Sequence, residues 1–323
     1  MNNLSPLESY FSQPRPGNYL LLLGAGVVLA LFWFLLIAKK RGIPGKAAFT
    51  AAALSLVLGA LLARLQYFMV EHPFWEDIPA KFFSPQNVRE FGFMGALAGV
   101  VLAALITNRF FKMKGVGNAL TLPALLAAVF ARAAEMFVPF GTGDYVESTA
   151  FRFIPLSMPD GFGDYVFSVF LVEALWALLI LLYIRFSSGY PSPVDLLLAL
   201  TLFFAGQILL ESLRAEALRM GFVRVQQVIS AAGMLAVLIY CQHQTKEGRT
   251  IRIQRVVLFV AGMLLLVAGE FALDRTPWSD IYVRIGMLMV VVIMAGIVLH
   301  AILAREEQLL GYDRCGPGGC VLP

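Results

Sequence analysis

Arg132 and Glu135 stand three residues apart inside an otherwise apolar run, within the stretch 127–147. On a helix that spacing puts both side chains on one face. Ionised groups are expensive in lipid and generally face a bundle interior or a cavity where they have work to do. A planar guanidinium there suits bidentate hydrogen bonding to a phosphate. A carboxylate beside it either holds the guanidinium or takes a proton, because burial can raise its pKa toward neutrality. Pro139, Gly141 and Gly143 follow, which predicts a helix end roofed by a bendable loop.

Other apolar runs carry matching groups. Arg64 falls about two turns before the outer end of the second run, and Glu173 roughly 10–15 Å below the outer end of the fifth. Gln207, Glu211 and Arg214 follow i, i+4, i+7 spacing, which on a helix makes one stripe. All of them fall in the outer half of the membrane, and the middle of the inner half holds almost no ionisable group. That pattern predicts a pocket open to the outer leaflet rather than a path across the bilayer. Snorkelling or a structural ion pair is the competing account for Arg64, Arg214, Glu270 or His300 taken singly. Gly95 and Gly99 form a GxxxG, which reads either as close helix packing or as backbone that must approach a lipid head group. Gly141 and Gly143 are likewise ordinary turn residues or site residues.

The elements that must position these groups are membrane helices. The chain is 59% hydrophobic and 14% charged, whereas soluble domains are typically about a quarter charged. Its periodicity is helical, so the expected fold is an all-α integral membrane protein, a polytopic bundle rather than a barrel. Nine spans are predicted, near 19–38, 46–70, 92–110, 116–139, 164–186, 194–213, 223–241, 253–272 and 282–304. Basic residues cluster in alternate loops: Lys39, Lys40, Arg41 and Lys46, then Arg109, Lys112 and Lys114, then Arg185, then Lys246, Arg249, Arg252 and Arg255. The positive-inside rule makes that side cytoplasmic, with the N-terminus outside and the C-terminus inside. Residues 71–91 and 140–163 become long outer loops rich in aromatics, Pro and Gly. The net charge of +4 reflects that bias and does not point to nucleic acid. The N-terminal stretch lacks the charged start of a signal peptide, so the first span is expected to stay in place. Cys241, Cys315 and Cys320 make no disulfide framework, and the three histidines have no metal-ligand spacing, so neither metal nor cofactor is expected. The tail pair Cys315 and Cys320 reads as a flexible end or a small redox or metal loop.

Over residues 19–241 the order and spacing of these motifs resemble the prolipoprotein diacylglyceryl transferase family. Ala63-Arg64-Leu65-Gln66-Tyr67 is similar to the family's second-span motif. Phe93-Met94-Gly95-Ala96-Leu97-Ala98-Gly99 resembles its His-Gly-Gly-Leu-Ile-Gly motif, with Met94 where the family has histidine. Ala131-Arg132 through Glu135-Met136-Phe137 resembles its Gly-Arg-x-Gly-Asn-Phe signature, with Glu135 in place of the asparagine and Gly143 at the closing glycine. Glu173 matches a family glutamate. Gln207, Glu211 and Arg214 resemble its Arg-x-x-x-Glu-Phe-x-Arg, with Gln207 in place of a catalytic arginine, and Gln226 and Ser230 resemble its Gln-x-x-Ser.

The resemblance implies a transferase that moves a diacylglyceryl group from phosphatidylglycerol to a lipoprotein precursor's cysteine, in the outer leaflet of a bacterial cytoplasmic membrane. Arg132 and Glu135 would be catalytic, and Arg64, Gly95, Gly143, Glu173, Gln207, Glu211 and Arg214 would hold substrate. Residues 1–241 would form the transferase-like core, and 242–323 would add two spans and a cytoplasmic tail. The other readings are a catalytically altered or inactive lipid-binding or scaffold relative, and a transporter.

Overall fold

A computed structural model describes residues 15–71, 82, 90–138, 141–146, 149–160, 162–187, 190–215, 217–220, 223–245, 247–275 and 280–314. Cys315 and Cys320, and most of loop 71–91, lie outside them. Among the described residues there are nine α-helices: α1 Pro16–Lys40, α2 Gly45–Glu71, α3 Phe93–Phe110, α4 Val116–Ala134, α5 Val169–Phe186, α6 Asp195–Glu211, α7 Val225–Gln244, α8 Arg249–Arg275 and α9 Asp280–Arg314. Eight are long and apolar enough to cross a membrane, so the chain is a multi-pass membrane protein. The sixth predicted span is a helix of 17 residues, about 25 Å long, against a hydrocarbon core of about 30 Å.

Two short antiparallel ribbons were not expected. β1 Ser157–Pro159 pairs with β2 Tyr165–Phe167, and β3 Arg219–Met220 pairs with β4 Val223–Arg224. Three helix limits differ from those predicted. The fifth helix begins at Val169 rather than near 164, because 165–167 are taken up by β2. Glu173 therefore sits about 6 Å into its helix, not 10–15 Å. The fourth ends at Ala134 and tightens into a 3-10 turn over Glu135–Phe137. The sixth ends at Glu211, so Arg214 is not on its stripe; its backbone bridges Gly143 instead.

The chain divides into two compact units. The first comprises residues 1–191 and 213–226, and so holds α1–α5 with both ribbons. Its seams are closed by small residues, which let apolar helices approach where no hydrophobic drive separates them from lipid. A Cβ on Gly95 would stand 2.1 Å from the Leu62 carbonyl oxygen, and one on Gly99 would stand 2.4 Å from that of Leu58. The GxxxG of α3 is thus pressed on the α2 backbone. Gly26 of α1 instead receives the Phe130 side chain of α4. Near the basic helix ends, Phe34, Ala38, Ile43, Ala47, Ala51, Ala104, Val116, Ala119 and Leu120 form a buried cluster from α1 to α4.

The second unit comprises 192–212 and 227–323. Within it α9 packs on both α8 and α6. Met294 and Met287 of α9 sit over Gly262 and Gly269 of α8, in an antiparallel register of seven residues. Gln227 Nε2 donates to the Ile208 carbonyl and to Glu270 Oε1, so a residue of α8 meets one at the start of α7. Arg255 pairs with Glu247, and Arg305 lies over the Tyr240 ring.

Candidate functional site

Where α4 tightens into its 3-10 turn, four charges from three parts of the first unit meet. Arg132 Nη1 donates to Glu135 Oε1 at 2.7 Å, and its Nε lies 3.1 Å from Glu173 Oε2. Arg214 Nη1 donates to the other Glu135 oxygen at 3.0 Å, and its Nη2 donates to Glu173 Oε2. The result is a closed ring of two guanidiniums and two carboxylates. Arg132 is 1% exposed, Glu173 2% and Arg214 5%, whereas the Glu135 side chain keeps 13%, so three corners are buried and their charges are little screened.

Each corner has a local reason for its place. Arg132 and Glu135 keep i, i+3 spacing through the last helical turn and the 3-10 turn. Glu173 is one turn into α5, which packs on α4. Arg214 is delivered by backbone: its bridge to Gly143 is continued by Gly143 N–H donating to the Phe167 carbonyl and Ala215 N–H to that of Thr142. This crossing needs glycine, since a Cβ on Gly143 would lie 2.4 Å from the Leu213 carbonyl oxygen. Gly141 is constrained too: a Cβ there would meet Phe170 Cβ at 2.4 Å and Glu135 Oε2 at 2.5 Å.

Three contributors escaped the sequence reading. The Arg132 guanidinium lies 4.1 Å from the centroid of the Phe93 ring, a cation–π contact. Its Nη2 also reaches Gln226 Oε1 at 3.5 Å. Tyr19, in the first turn of α1, is close enough to feel the charges of Glu135 and Arg132. Phe93 and Gln226 stand inside quoted motifs, beside Met94 and four residues before Ser230, and that adjacency was the available signal. Tyr19 had none.

The remaining candidates have the following surroundings. Arg64 is buried on α2, where it pairs with Glu90 and donates through Nε to the Phe82 carbonyl at 3.0 Å. It also sits over the rings of Tyr67, Phe68 and Phe91. Gly95 faces the α2 backbone, so its closest neighbours are helix atoms. Met94 is 2% exposed, and a thioether there has no proton to exchange. Gln207 and Glu211 belong to the second unit, where Gln207 Nε2 donates to Glu211 Oε2 at 3.2 Å. Among the described residues no cluster of His, Cys, Asp or Glu could hold a metal ion.

Chemically, the ring offers two oriented guanidiniums that bind anionic oxygens and two carboxylates that keep them in place. Comparison with known proteins gives the same region a context. The family model for prolipoprotein diacylglyceryl transferase matches residues 17–242. Several relatives bear the name phosphatidylglycerol–prolipoprotein diacylglyceryl transferase. The one from Clostridioides difficile (strain 630) is 25% identical over 239 residues, which cover 72% of this chain and 92% of the relative. That of Gloeobacter violaceus is 27% identical over 261 residues, covering 71% and 93%. That of Acaryochloris marina is 29% identical over 229 residues, covering 67% and 82%.

Proposed function

The chain belongs to the prolipoprotein diacylglyceryl transferase family, and from that premise we propose that it moves a diacylglyceryl group from phosphatidylglycerol to the cysteine thiol of a lipoprotein precursor. The setting is the outer leaflet of a bacterial cytoplasmic membrane. In the balanced reaction the thiol sulfur bonds to the terminal glycerol carbon of the diacylglyceryl group and the bond from that carbon to the phosphate oxygen breaks. The thiol proton is accounted for on the released glycerol phosphate. The charge that must be held is on the departing phosphate, and a preorganised donor aimed at such charge is a large catalytic term.

The observation that carries the reading is the ring of Arg132, Glu135, Glu173 and Arg214, inside the matched region. Arg132 holds the departing phosphate. Glu135 has each oxygen engaged by a different guanidinium, which favours a positioning role over that of thiol base. Glu173 braces both arginines, and Arg214 is a second phosphate donor. Gly143 serves by letting the Arg214 strand cross. Gln207 and Glu211 remain substrate-side candidates through the resemblance alone. Residues 242–323 extend the transferase-like core.

The test is phosphatidylglycerol-dependent modification of a precursor peptide's cysteine in reconstituted vesicles. Arg132→Ala should lower turnover by about 10²–10³. Arg132→Lys should recover little, because one ammonium cannot reproduce a planar fork shared among three partners. Turnover that survives either change refutes the assigned role. Met94 favours a second reading, a lipid-binding relative without turnover, since it replaces a proton-exchanging group with a thioether. That reading predicts bound phosphatidylglycerol and no peptide modification by the unaltered protein.

A further inference from the structure

The ring of Arg132, Arg214, Glu135 and Glu173 is electrically balanced. Two cations already facing two anions offer an approaching phosphodiester little net attraction. The adjoining hairpin has a different balance. Residues 213–226 contain three arginines, Arg214, Arg219 and Arg224, and one acidic residue. β3 and β4 place Arg219 directly opposite Arg224. Opposed residues of an antiparallel pair leave the same face with their Cβ atoms about 4.5–5.5 Å apart, and like charges there are destabilising. Arg219 is exposed and makes no hydrogen bond or ion pair among the described residues. Two cationic side chains leaving one face of a hairpin attract an anion that approaches that face.

The hairpin is also wired to the ring. Arg224 Nη1 donates to the Arg214 carbonyl at 2.7 Å, one residue's backbone from the Arg214 guanidinium. Two residues on, Gln226 accepts from Arg132. One short segment therefore touches both arginines of the ring.

We propose that Arg219 and Arg224 form a receiving site for a phosphodiester anion, that of the donor lipid's head group, beside the ring. This deepens the reading of the chain as a phosphatidylglycerol-dependent transferase and rests on it. The pair supplies the cationic attraction that the balanced ring lacks. The lipid then passes from an outer, partly hydrated pair of guanidiniums to the buried inner one.

The experiment titrates the full-length protein in detergent by calorimetry with dihexanoyl phosphatidylglycerol, dihexanoyl phosphatidylcholine and inorganic phosphate, and measures peptide modification on the same samples. Arg219→Gln is the principal variant, because Arg219 supports no described contact; Arg224→Gln is the companion. Each should weaken phosphatidylglycerol binding roughly two- to five-fold, and added salt should shrink the difference. Arg219→Lys should stay near the unaltered protein, and phosphatidylcholine binding should not change. Unchanged phosphatidylglycerol affinity in Arg219→Gln overturns the proposal. A loss seen with inorganic phosphate but not with the lipid overturns the head-group assignment. If the unaltered protein modifies no peptide yet Arg219→Gln still weakens lipid binding, the receiving site stands and the transferase reading falls. If turnover is present and binding is indifferent to both changes, the reverse holds.

Discussion

Glu173 braces both arginines of the ring with one carboxylate oxygen. Removing one partner of a buried ion pair is more damaging than never having the pair, because the remaining charge keeps its desolvation penalty. Glu173→Ala should therefore destabilise the fold by about 3–5 kcal/mol, read as a lower unfolding midpoint in detergent. The double change Glu173→Ala with Arg214→Ala should be less damaging than the sum of the single changes, which a double-mutant cycle measures. At this scale the sequence was legible where contacts are local. Arg132 and Glu135 declared themselves by spacing, because three residues along a helix is also a spatial neighbourhood. Phe93 and Gln226 reach Arg132 only through tertiary approach, and no local rule encodes that. Glu135 in place of an asparagine and Gln207 in place of an arginine also shift these motif positions by two formal charges toward negative.

The bridge between Gly143 and Arg214 does for the ring what helix spacing does for Arg132 and Glu135. A methyl at Gly143 would meet the Leu213 carbonyl oxygen at 2.4 Å and push away the strand that carries Arg214. Displacing a positioned group by about 1 Å can lower a rate by about 10². Gly143→Ala should thus lose turnover by about that factor with helix content unchanged, a combination that circular dichroism and the peptide assay read together. The helices themselves were visible in the sequence as apolar runs. The ribbons were not, since Tyr165-Val166-Phe167 is as apolar as the helix it precedes and merges with it in any hydropathy window. The stripe of Gln207, Glu211 and Arg214 failed for a related reason. Nothing in the spacing announces that the helix stops at Glu211 and that Arg214 is held by an isolated backbone bridge to Gly143.

For the molecule as a whole, the family match ends at residue 242, and α8 and α9 lie beyond it. Within the second unit they are not idle: α9 packs on α6, and Glu270 of α8 accepts from Gln227. A chain ending after Gln244 should keep measurable turnover but unfold at a lower temperature than the full protein, and Glu270→Ala should reproduce part of that loss. The glycine contacts described for the two units have a further consequence, for where this chain tolerates alteration. Gly95 and Gly99 abut carbonyls and main-chain atoms, which have no torsion to spare. Gly262 and Gly269 abut thioether chains that turn about three bonds. An added methyl is therefore better tolerated at Gly262 or Gly269 than at Gly95 or Gly99, where the facing main chain leaves no space for even one carbon.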